Sequence, residues 1–287
     1  MGVMKIQIEP GVHLFVDVEG PQWRVDGPTL RQLPTLILIH GGPGFDHSSF
    51  KPFFSGLRDL AQIVYFDLRG HGRSTPRPAS EWTLDTFADD VVRLCHVLGV
   101  EQPIVLGQSF GGFVAQRYLA RHPELPSKVI LSSTTHHLGL ARKVAWFEKL
   151  GGPQAAEAAR AFWTDPCAAT WAPYETWCRP LYNTTAQDPQ GGQRAHFSPD
   201  ILFTWAAGEQ QTMQLLPGLS QVRCPVLVMA GDTDPVTPLE DALEITAALP
   251  PAWAQLERFE GVGHGPWRDD PQKALSVLRR FIQSPSM

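Results

Sequence analysis

The sequence has little of what marks secreted or membrane-spanning proteins. Four of its 287 residues are cysteines, and they are scattered without a Cys-x-x-Cys pair or the spacing of a metal site. We interpret them as buried free thiols rather than as a disulfide framework. No apolar run approaches the length of about 20 residues that crosses a membrane, and residues 1–6 lack the apolar core of a signal peptide. We therefore expect a cytoplasmic protein without a membrane partner.

The charged residues give no indication of a polyanionic partner. The chain has 24 lysines and arginines against 29 aspartates and glutamates, a formal net charge of -5, with no block of like charges. Nucleic acid is therefore not an expected partner. A content of 43% hydrophobic and 18% charged residues is typical of a globular enzyme. The length allows one large core with an insertion, or two small domains.

Predicted strands and helices alternate before residue 134. Two runs of alternating polarity around Pro10 and Gly11 predict a hairpin over residues 4–18, and the turn-rich residues 19–33 are interpreted as a surface loop. Further strands are predicted at 35–39, 61–66, 103–106 and 128–133, with helices at 48–60, 83–98 and 113–120. This order is typical of an α/β protein with a mainly parallel, doubly wound sheet.

The alternation lapses between residues 134 and 221. This stretch has mixed helical periodicity, notably over 141–150 and 155–163, and contains five of the nine tryptophans. We interpret it as a mainly helical cap over the carboxyl edge of the sheet. Most of its tryptophans are then the cap's own core, and one or two, with Trp205 as the candidate, face the substrate. His136 and His137 at its start are interpreted as polar surface or hinge residues, with pocket lining as the alternative.

The strand pattern resumes after the insertion. A strand is predicted at 225–230, followed by a helix that ends near residue 249. A last strand is predicted at 252–259, followed by a helix over 271–282. The predicted domains are therefore a core formed by residues 1–133 and 222–287 and a cap formed by residues 134–221.

A predicted strand and a predicted helix meet at residues 107–112, which read Gly-Gln-Ser-Phe-Gly-Gly. A Gly-x-Ser-x-Gly pattern between a strand and a helix predicts a nucleophile elbow, in which Ser109 sits on a strained turn with its hydroxyl exposed. The glycines at 107 and 111 give the strand and the helix room to pass. The Phe110 N–H, at the start of the helix, then points at charge that develops beside the serine.

A second glycine-rich segment, His-Gly-Gly-Pro-Gly at residues 40–44, follows the predicted strand at 35–39. Its composition favours a backbone path that brings N–H groups close to another group. We predict that the N–H groups of Gly42 and Phe110 form an oxyanion hole, since Pro43 has no N–H to donate. Gly41 is a candidate substrate contact. A tight turn without this role is the alternative.

A serine nucleophile needs a base in hydrogen-bond reach and a third group that orients the base. In this topology the partners follow later strands, in the order serine, acid, histidine. Asp234 and His264 occupy those places, and the glycines around His264 are expected to let its ring turn toward Ser109. Asp232 is the competing acid, and His71, which precedes the serine, is assigned a structural loop role. This chemistry requires neither a metal nor an organic cofactor.

Three motifs together carry a resemblance to a known family. They are the segment at 40–44, the loop at 67–74, which reads Asp-Leu-Arg-Gly-His-Gly-Arg-Ser, and the elbow at 107–112. They resemble the α/β-hydrolase fold and, within it, the proline iminopeptidase family of serine peptidases, whose near relatives include esterases and amidases. The resemblance covers essentially the whole chain and implies a helical cap.

Recognition of a peptide N-terminus makes a further demand on this sequence. An aminopeptidase must pair the substrate's α-ammonium with carboxylates, because a buried unpaired charge is costly. The resemblance implies a glutamate directly after the catalytic aspartate, but this sequence has Pro235 there. A second carboxylate would come from the cap. Glu209 is the first candidate, followed by Glu148, Glu157 and Glu175.

Three functions are therefore compatible with the sequence. The first is a carboxylesterase or amidase, the second an N-terminal prolyl exopeptidase, and the third a binding protein that uses the scaffold without turnover. The expected partner is a small-molecule ester, an amide or a short peptide. Nothing in the sequence indicates an oligomeric state.

Overall fold

The computed structural model describes residues 4–186 and 188–285. Residues 1–3, which enter the expectation about the N-terminus, and the last two residues of the predicted core domain lie outside them. The strands are β1 (Met4–Glu9), β2 (Val12–Glu19), β3 (Trp23–Asp26), β4 (Thr29–Gln32), β5 (Thr35–Ile39), β6 (Gln62–Phe66), β7 (Ile104–Gln108), β8 (Lys128–Ser132), β9 (Val226–Gly231) and β10 (Ala254–Phe259).

The α-helices lie between and after these strands. They are α1 (Leu84–Leu98), α2 (Phe110–Arg121), α3 (Leu140–Thr164), α4 (Ala168–Trp177), α5 (Gly191–Arg194), α6 (Pro199–Ala207), α7 (Glu209–Thr212), α8 (Leu239–Ala248), α9 (Pro266–Asp269) and α10 (Pro271–Gln283). No helix of the described ranges is both long and apolar enough to cross a membrane.

Eight strands form one sheet in the order β1-β2-β6-β5-β7-β8-β9-β10. The β1-β2 and β2-β6 pairs are antiparallel, and every other neighbouring pair is parallel. All residues of β5, β8 and β9 are buried, because helices cover both faces of the sheet and the strands are apolar nearly throughout. The predicted mainly parallel α/β architecture is confirmed.

Two early segments differ from their predictions. The predicted helix at 48–60 is two 3₁₀ helices, His47–Phe50 and Phe53–Leu57. Pro52 separates them, because a proline disfavours helical backbone at the residue before it, and Lys51 is extended (φ -93°, ψ 142°). The predicted loop at 19–33 contains the hairpin β3-β4. Both strands are exposed on every residue, so no alternation of buried and exposed positions marked them in the sequence.

The segment between β8 and β9 is helical wherever it has regular structure in the described residues. Its longest helix, α3, is interrupted at Gly152 (φ 74°, ψ -169°), between the two helical stretches that the sequence predicts. The helices of this segment share an apolar cluster that includes Phe147, Phe162, Trp163 and Tyr174. All four cysteines of the chain are free, and three of them are buried.

Candidate active site

The loops that carry the predicted site residues leave the sheet at one edge. β5, β7, β8, β9 and β10 run parallel, so their carboxyl ends lie side by side. Gly41 and Gly42 follow β5, Ser109 follows β7, Asp234 follows β9 and His264 follows β10. This edge is where open α/β sheets bind their ligands.

Ser109 occupies a strained turn. Its backbone has φ 53° and ψ -115°, a positive φ that non-glycine residues rarely adopt. The turn is held from both sides: the Ser109 N–H donates to the Ser132 carbonyl at 2.9 Å, and the Ser109 carbonyl accepts from the Gly112 N–H and the Thr134 hydroxyl, each at 2.9 Å. Such strain persists where the surroundings fix the backbone, as they do here.

The glycines of the elbow allow close approach of backbone segments. A Cβ at Gly107 would lie 2.2 Å from the Gly111 carbonyl oxygen, and a Cβ at Gly111 would lie 2.0 Å from the Ile39 carbonyl oxygen. Strand β7, helix α2 and the end of β5 therefore pack too tightly for any side chain at these two positions.

Asp234 and His264 form a buried pair. Oδ2 of Asp234 lies 2.8 Å from Nδ1 of His264 and accepts the hydroxyl of Thr237 at 2.7 Å. Oδ1 accepts the backbone N–H groups of Val236 at 2.8 Å and Thr237 at 3.0 Å. Because Nδ1 faces the carboxylate, the neutral imidazole carries its proton there and leaves the Nε2 lone pair free to accept one.

The competing acid is held elsewhere. Oδ2 of Asp232 accepts from Arg258 at 2.9 Å, and its Oδ1 accepts the Gly261 N–H at 2.8 Å. Asp232 therefore fixes the loop that leads to His264, whereas Asp234 contacts the imidazole itself.

The loop around His264 packs directly against the helical segment. The His264 N–H donates to the Tyr182 carbonyl at 2.6 Å, and the two rings lie 5.3 Å apart, edge to face. A Cβ at Gly263 would lie 2.2 Å from the Tyr182 carbonyl oxygen, and one at Gly265 would lie 2.9 Å from Oδ1 of Asn183. Glycine is needed at these two positions because a side chain would collide with the helical segment. The sequence analysis gave a different reason, namely freedom for the His264 ring to turn.

The elbow and the His264 loop are neighbours. Nε2 of Gln108 lies 3.5 Å from the His264 carbonyl oxygen. Within residues 4–186 and 188–285, no hydrogen bond joins Oγ of Ser109 to His264. The hydrogen bond between a serine nucleophile and its base is often long before a substrate binds.

The glycine-rich loop after β5 packs onto the elbow. A Cβ at Gly41 would lie 2.0 Å from Oε1 of Gln108, and Gly42 has a positive φ of 64°. The N–H groups of Gly42 and Phe110 donate no hydrogen bond to the part of the chain that the structure describes. Unused N–H donors are what an oxyanion site requires, and Phe110 directly follows Ser109 in the chain.

His40 holds this loop in place. Its Nε2 accepts the Leu68 N–H at 3.1 Å, so the ring proton is on Nδ1, which lies 3.2 Å from the Gly41 carbonyl oxygen. Burial lowers the pKa of His40 and keeps the ring neutral. His71 is also fully buried, and its Nδ1 lies 2.9 Å from the Arg69 carbonyl oxygen, consistent with a role within its own loop.

Trp205, the candidate substrate contact, packs against the helix that begins at the elbow. Its side chain is 2% exposed and packs edge to face on Phe110, with ring centroids 4.7 Å apart, and stacks on Phe113 at 5.9 Å. Trp205 therefore belongs to the apolar core behind the elbow helix.

Glu209 is also engaged away from the triad. One carboxylate oxygen accepts the N–H of Leu84, the first residue of α1, at 2.9 Å, and the other lies 3.9 Å from Nη2 of Arg117. A carboxylate at a helix N-terminus satisfies a free N–H and complements the helix dipole.

The sequence analysis did not identify two residues that contact His264 or Asp234. Thr237 lies three residues after Asp234, a spacing at which a threonine hydroxyl can bond back to an aspartate, and this signal was available. Tyr182 lies in a turn-rich part of the helical segment, and no local pattern connects it with His264.

The mostly parallel sheet with a serine elbow at its carboxyl edge is the architecture of the α/β-hydrolases. The chain belongs to the alpha/beta hydrolase fold family, whose family model matches residues 34–267.

Relatives of this chain are named as hydrolases. It is 27% identical over 284 residues to the proline iminopeptidase of Clostridium botulinum, in an alignment that covers 91% of this chain and 93% of that protein. It is 29% identical over 302 residues to a bifunctional esterase/perhydrolase of Acinetobacter calcoaceticus, in an alignment that covers 97% of this chain and 99% of that protein. The crystal structure of the Mycobacterium smegmatis proline iminopeptidase matches with a TM-score of 0.73 at 22% identity, over 98% of this chain and 97% of that one. The chain is therefore a hydrolase, and the predicted family resemblance is confirmed.

Proposed function

We propose that this hydrolase cleaves a carboxylic ester or amide of a small, partly apolar substrate through an acyl-enzyme on Ser109. In this mechanism Nε2 of His264 takes the hydroxyl proton as Oγ of Ser109 attacks the carbonyl carbon. Asp234 keeps the imidazole in the required tautomer and stabilises its charged form. The N–H groups of Gly42 and Phe110 bind the oxyanion of the tetrahedral intermediate.

Collapse of that intermediate expels the leaving group, which takes the proton from His264. A water molecule then attacks the acyl-enzyme, with the imidazole as its base, and Ser109 regains its proton as the acid product leaves. Every proton is returned within one cycle. The Asp234 carboxylate accepts three hydrogen bonds besides its contact with His264, which fixes its position. This and the two unused N–H donors support the assignment.

We also propose that residues 134–221 act as the cap of a core formed by residues 1–133 and 222–287. Two observations support this division. The helices between β8 and β9 form most of one apolar cluster, which Val236 joins from outside the segment, and Tyr182 of this segment contacts the His264 backbone. A substrate at Ser109 would then be enclosed between the sheet edge and the cap, where exclusion of water strengthens electrostatic interactions.

The observation that carries the choice of substrate is the charge distribution of the cap. Glu209 is occupied by the N-terminus of α1, and the other aspartates and glutamates of residues 134–186 and 188–221 are exposed to solvent. The cap therefore offers no free buried carboxylate among its described residues. A substrate ammonium held there would be desolvated without a partner, which is costly.

A buried lysine adds to this argument. Lys143 of α3 is 2% exposed, donates to the Val236 carbonyl and lies 5.7 Å from the centre of the Trp163 ring. Burial lowers its pKa, and the charges of Asp241 and Asp234 oppose that shift. A second cation near Asp234 would compete with Lys143 for the same carboxylates. Substrates without a free α-amine are therefore favoured.

The second candidate is a proline iminopeptidase. It is favoured by the relative from Clostridium botulinum, which aligns with 91% of this chain under that name. On this alternative the α-ammonium would have to be paired outside the cap, since neither Glu209 nor Pro235 offers a free carboxylate.

The experiment that separates the candidates compares two chromogenic substrates, a short-chain acyl aryl ester and a proline arylamide with a free amine. Wild type and the Ser109→Ala variant are assayed with both, and Ser220→Ala, at an exposed serine, is the matched control. We expect rapid ester cleavage that Ser109→Ala abolishes and Ser220→Ala leaves unchanged. The arylamide should be cleaved far more slowly.

Other outcomes would select another function. Arylamide cleavage that is fast and is lost when the proline nitrogen is acetylated would establish the iminopeptidase. No cleavage of either substrate, together with no labelling of Ser109 by a fluorophosphonate, would support a binding protein without turnover.

A further inference from the structure

The helical segment begins beside a cluster of potential metal ligands. His136 and His137 precede α3, and they face Asp241 and Glu244 on α8. Each of the four offers one ligand atom, and these atoms all lie within 4.8 Å of one another. The cluster does not include Ser109, Asp234 or His264.

Three side-chain atoms of these residues are buried and unpaired. Nδ1 of His136, Nδ1 of His137 and Oδ2 of Asp241 have no hydrogen-bond partner among the described residues. Asp241 is 1% exposed and His136 is 7% exposed. A buried polar atom without a partner is destabilising, so three on neighbouring side chains call for a common partner. A cation could accept lone pairs from all three.

The hydrogen bond between His136 and Glu244 prepares the histidine for a metal. Nε2 of His136 lies 2.6 Å from Oε2 of Glu244. Because a carboxylate only accepts, Nε2 carries the proton and Nδ1 keeps its lone pair. A histidine that donates one ring N–H to a carboxylate and binds a metal through the other nitrogen is the usual arrangement in metal sites.

Arg142 is the cation that already contacts this cluster. It donates to Oδ1 of Asp241, and to Oε1 of Glu244 at 2.7 Å and Oε2 at 3.3 Å. With neutral imidazoles, the two carboxylates of the cluster face the guanidinium of Arg142, and the ammonium of Lys143 is a second positive charge near Asp241. Arg142 therefore satisfies the oxygens on one side, and the unpaired Oδ2 of Asp241 remains for a second cation.

We propose that His136, His137 and Asp241 bind a divalent transition-metal ion of the zinc type, with Glu244 as the positioning residue for His136. Two imidazoles and a carboxylate are ligands that Zn²⁺ accepts. The ion would connect the start of the helical segment to α8, which follows the loop of Asp234. Its role is structural, since the proposed hydrolysis uses no metal.

Direct metal binding tests this inference. Tag-free, full-length protein treated with a chelator is titrated with ZnCl₂ by calorimetry, and with CoCl₂ while the visible absorption of bound Co²⁺ is recorded. We expect one ion per chain, and an increase in the melting temperature with zinc. His137→Asn should abolish these signals, and Glu244→Gln should weaken the zinc affinity about 10–100-fold.

Two further variants separate the site from general effects. His122→Asn removes another partly buried histidine, one that pairs with Asp89 at 2.8 Å, and should leave zinc binding unchanged. Arg142→Gln removes the competing cation and should strengthen zinc binding by roughly tenfold or more.

The inference would be overturned by wild type that binds no stoichiometric zinc, or by binding that survives His137→Asn. In either case the carboxylates of the cluster are balanced by Arg142 and Lys143 without a metal ion. Because the first of these outcomes concerns wild type, it does not depend on whether a variant folds, and neither outcome depends on hydrolytic activity.

Discussion

The hydroxyl of Thr237 donates a hydrogen bond of 2.7 Å to Oδ2 of Asp234, the oxygen that also lies 2.8 Å from Nδ1 of His264. The Thr237 hydroxyl is itself 3.3 Å from that nitrogen. Together with the two N–H groups that bind Oδ1, it fixes the rotation of the carboxylate so that Oδ2 faces the imidazole. Thr237 is thus a positioning residue for the pair.

Thr237→Val should reduce kcat for an aryl ester roughly tenfold, because a hydrogen bond to a charged group is worth about 1.5 kcal/mol or more. KM should change little, since Thr237 acts through Asp234. Thr237→Ser, which keeps the hydroxyl, should restore most of the rate. Steady-state kinetics of the three proteins check this, and an unchanged kcat in the valine variant would contradict it.

Gly111→Ala should destabilise the protein by about 3 kcal/mol or more, because overpacking against rigid backbone cannot be relieved by a side-chain rotation. The added Cβ would lie 2.0 Å from the Ile39 carbonyl oxygen. Gly192→Ala is the matched control, since no atom lies within 4 Å of a Cβ there. Urea unfolding measures both variants. A Gly111→Ala protein as stable as Gly192→Ala would refute the packing argument.

Features with a local signature could be predicted from the sequence, and features that depend on distant partners could not. A few adjacent residues determine the ends of α1, which Thr83 and Gly99 cap, and also the turn at Ser109. Trp205 and Glu209 were assigned to the pocket because their segment was expected to cover the site. The contacts that fix their positions, with α2 and with the start of α1, lie far away in the chain and could not be predicted from it.

Trp205→Ala should lower the free energy of unfolding by about 3–5 kcal/mol, as expected when a large buried aromatic side chain is removed. The indole packs on Phe110 and Phe113 and is 2% exposed. Trp177→Ala, at a tryptophan that is 51% exposed, is the control and should cost far less. If Trp205 contacted the substrate instead, its variant would raise KM at nearly unchanged stability. Urea unfolding and ester kinetics on the same preparations decide between these results.

Acid should destabilise the protein through His71. The ring is fully buried, and burial lowers its pKa from 6.5 to about 3. Its Nδ1 lies 2.9 Å from the Arg69 carbonyl oxygen, and its Nε2 has no partner in the described chain. The unfolded chain therefore binds a proton more readily than the folded one, so the stabilisation is fully present above pH 6.5 and is lost progressively as the pH falls toward 3.

The measurement is urea unfolding at pH 8 and pH 4.5. Between these values His71 should account for about 3 kcal/mol of lost stability, since each pKa unit corresponds to about 1.4 kcal/mol. His71→Asn removes the titration and keeps a side-chain N–H for Arg69, so its loss should be smaller by that amount. His40, whose pKa is also lowered by burial, is present in both proteins; its charge is one cause of the lowered pKa of His71, so the difference between the proteins includes this coupling. His96→Asn, at an exposed histidine, should behave as wild type; an equal loss in wild type and His71→Asn would show that His71 is protonated as easily in the folded protein as in the unfolded chain.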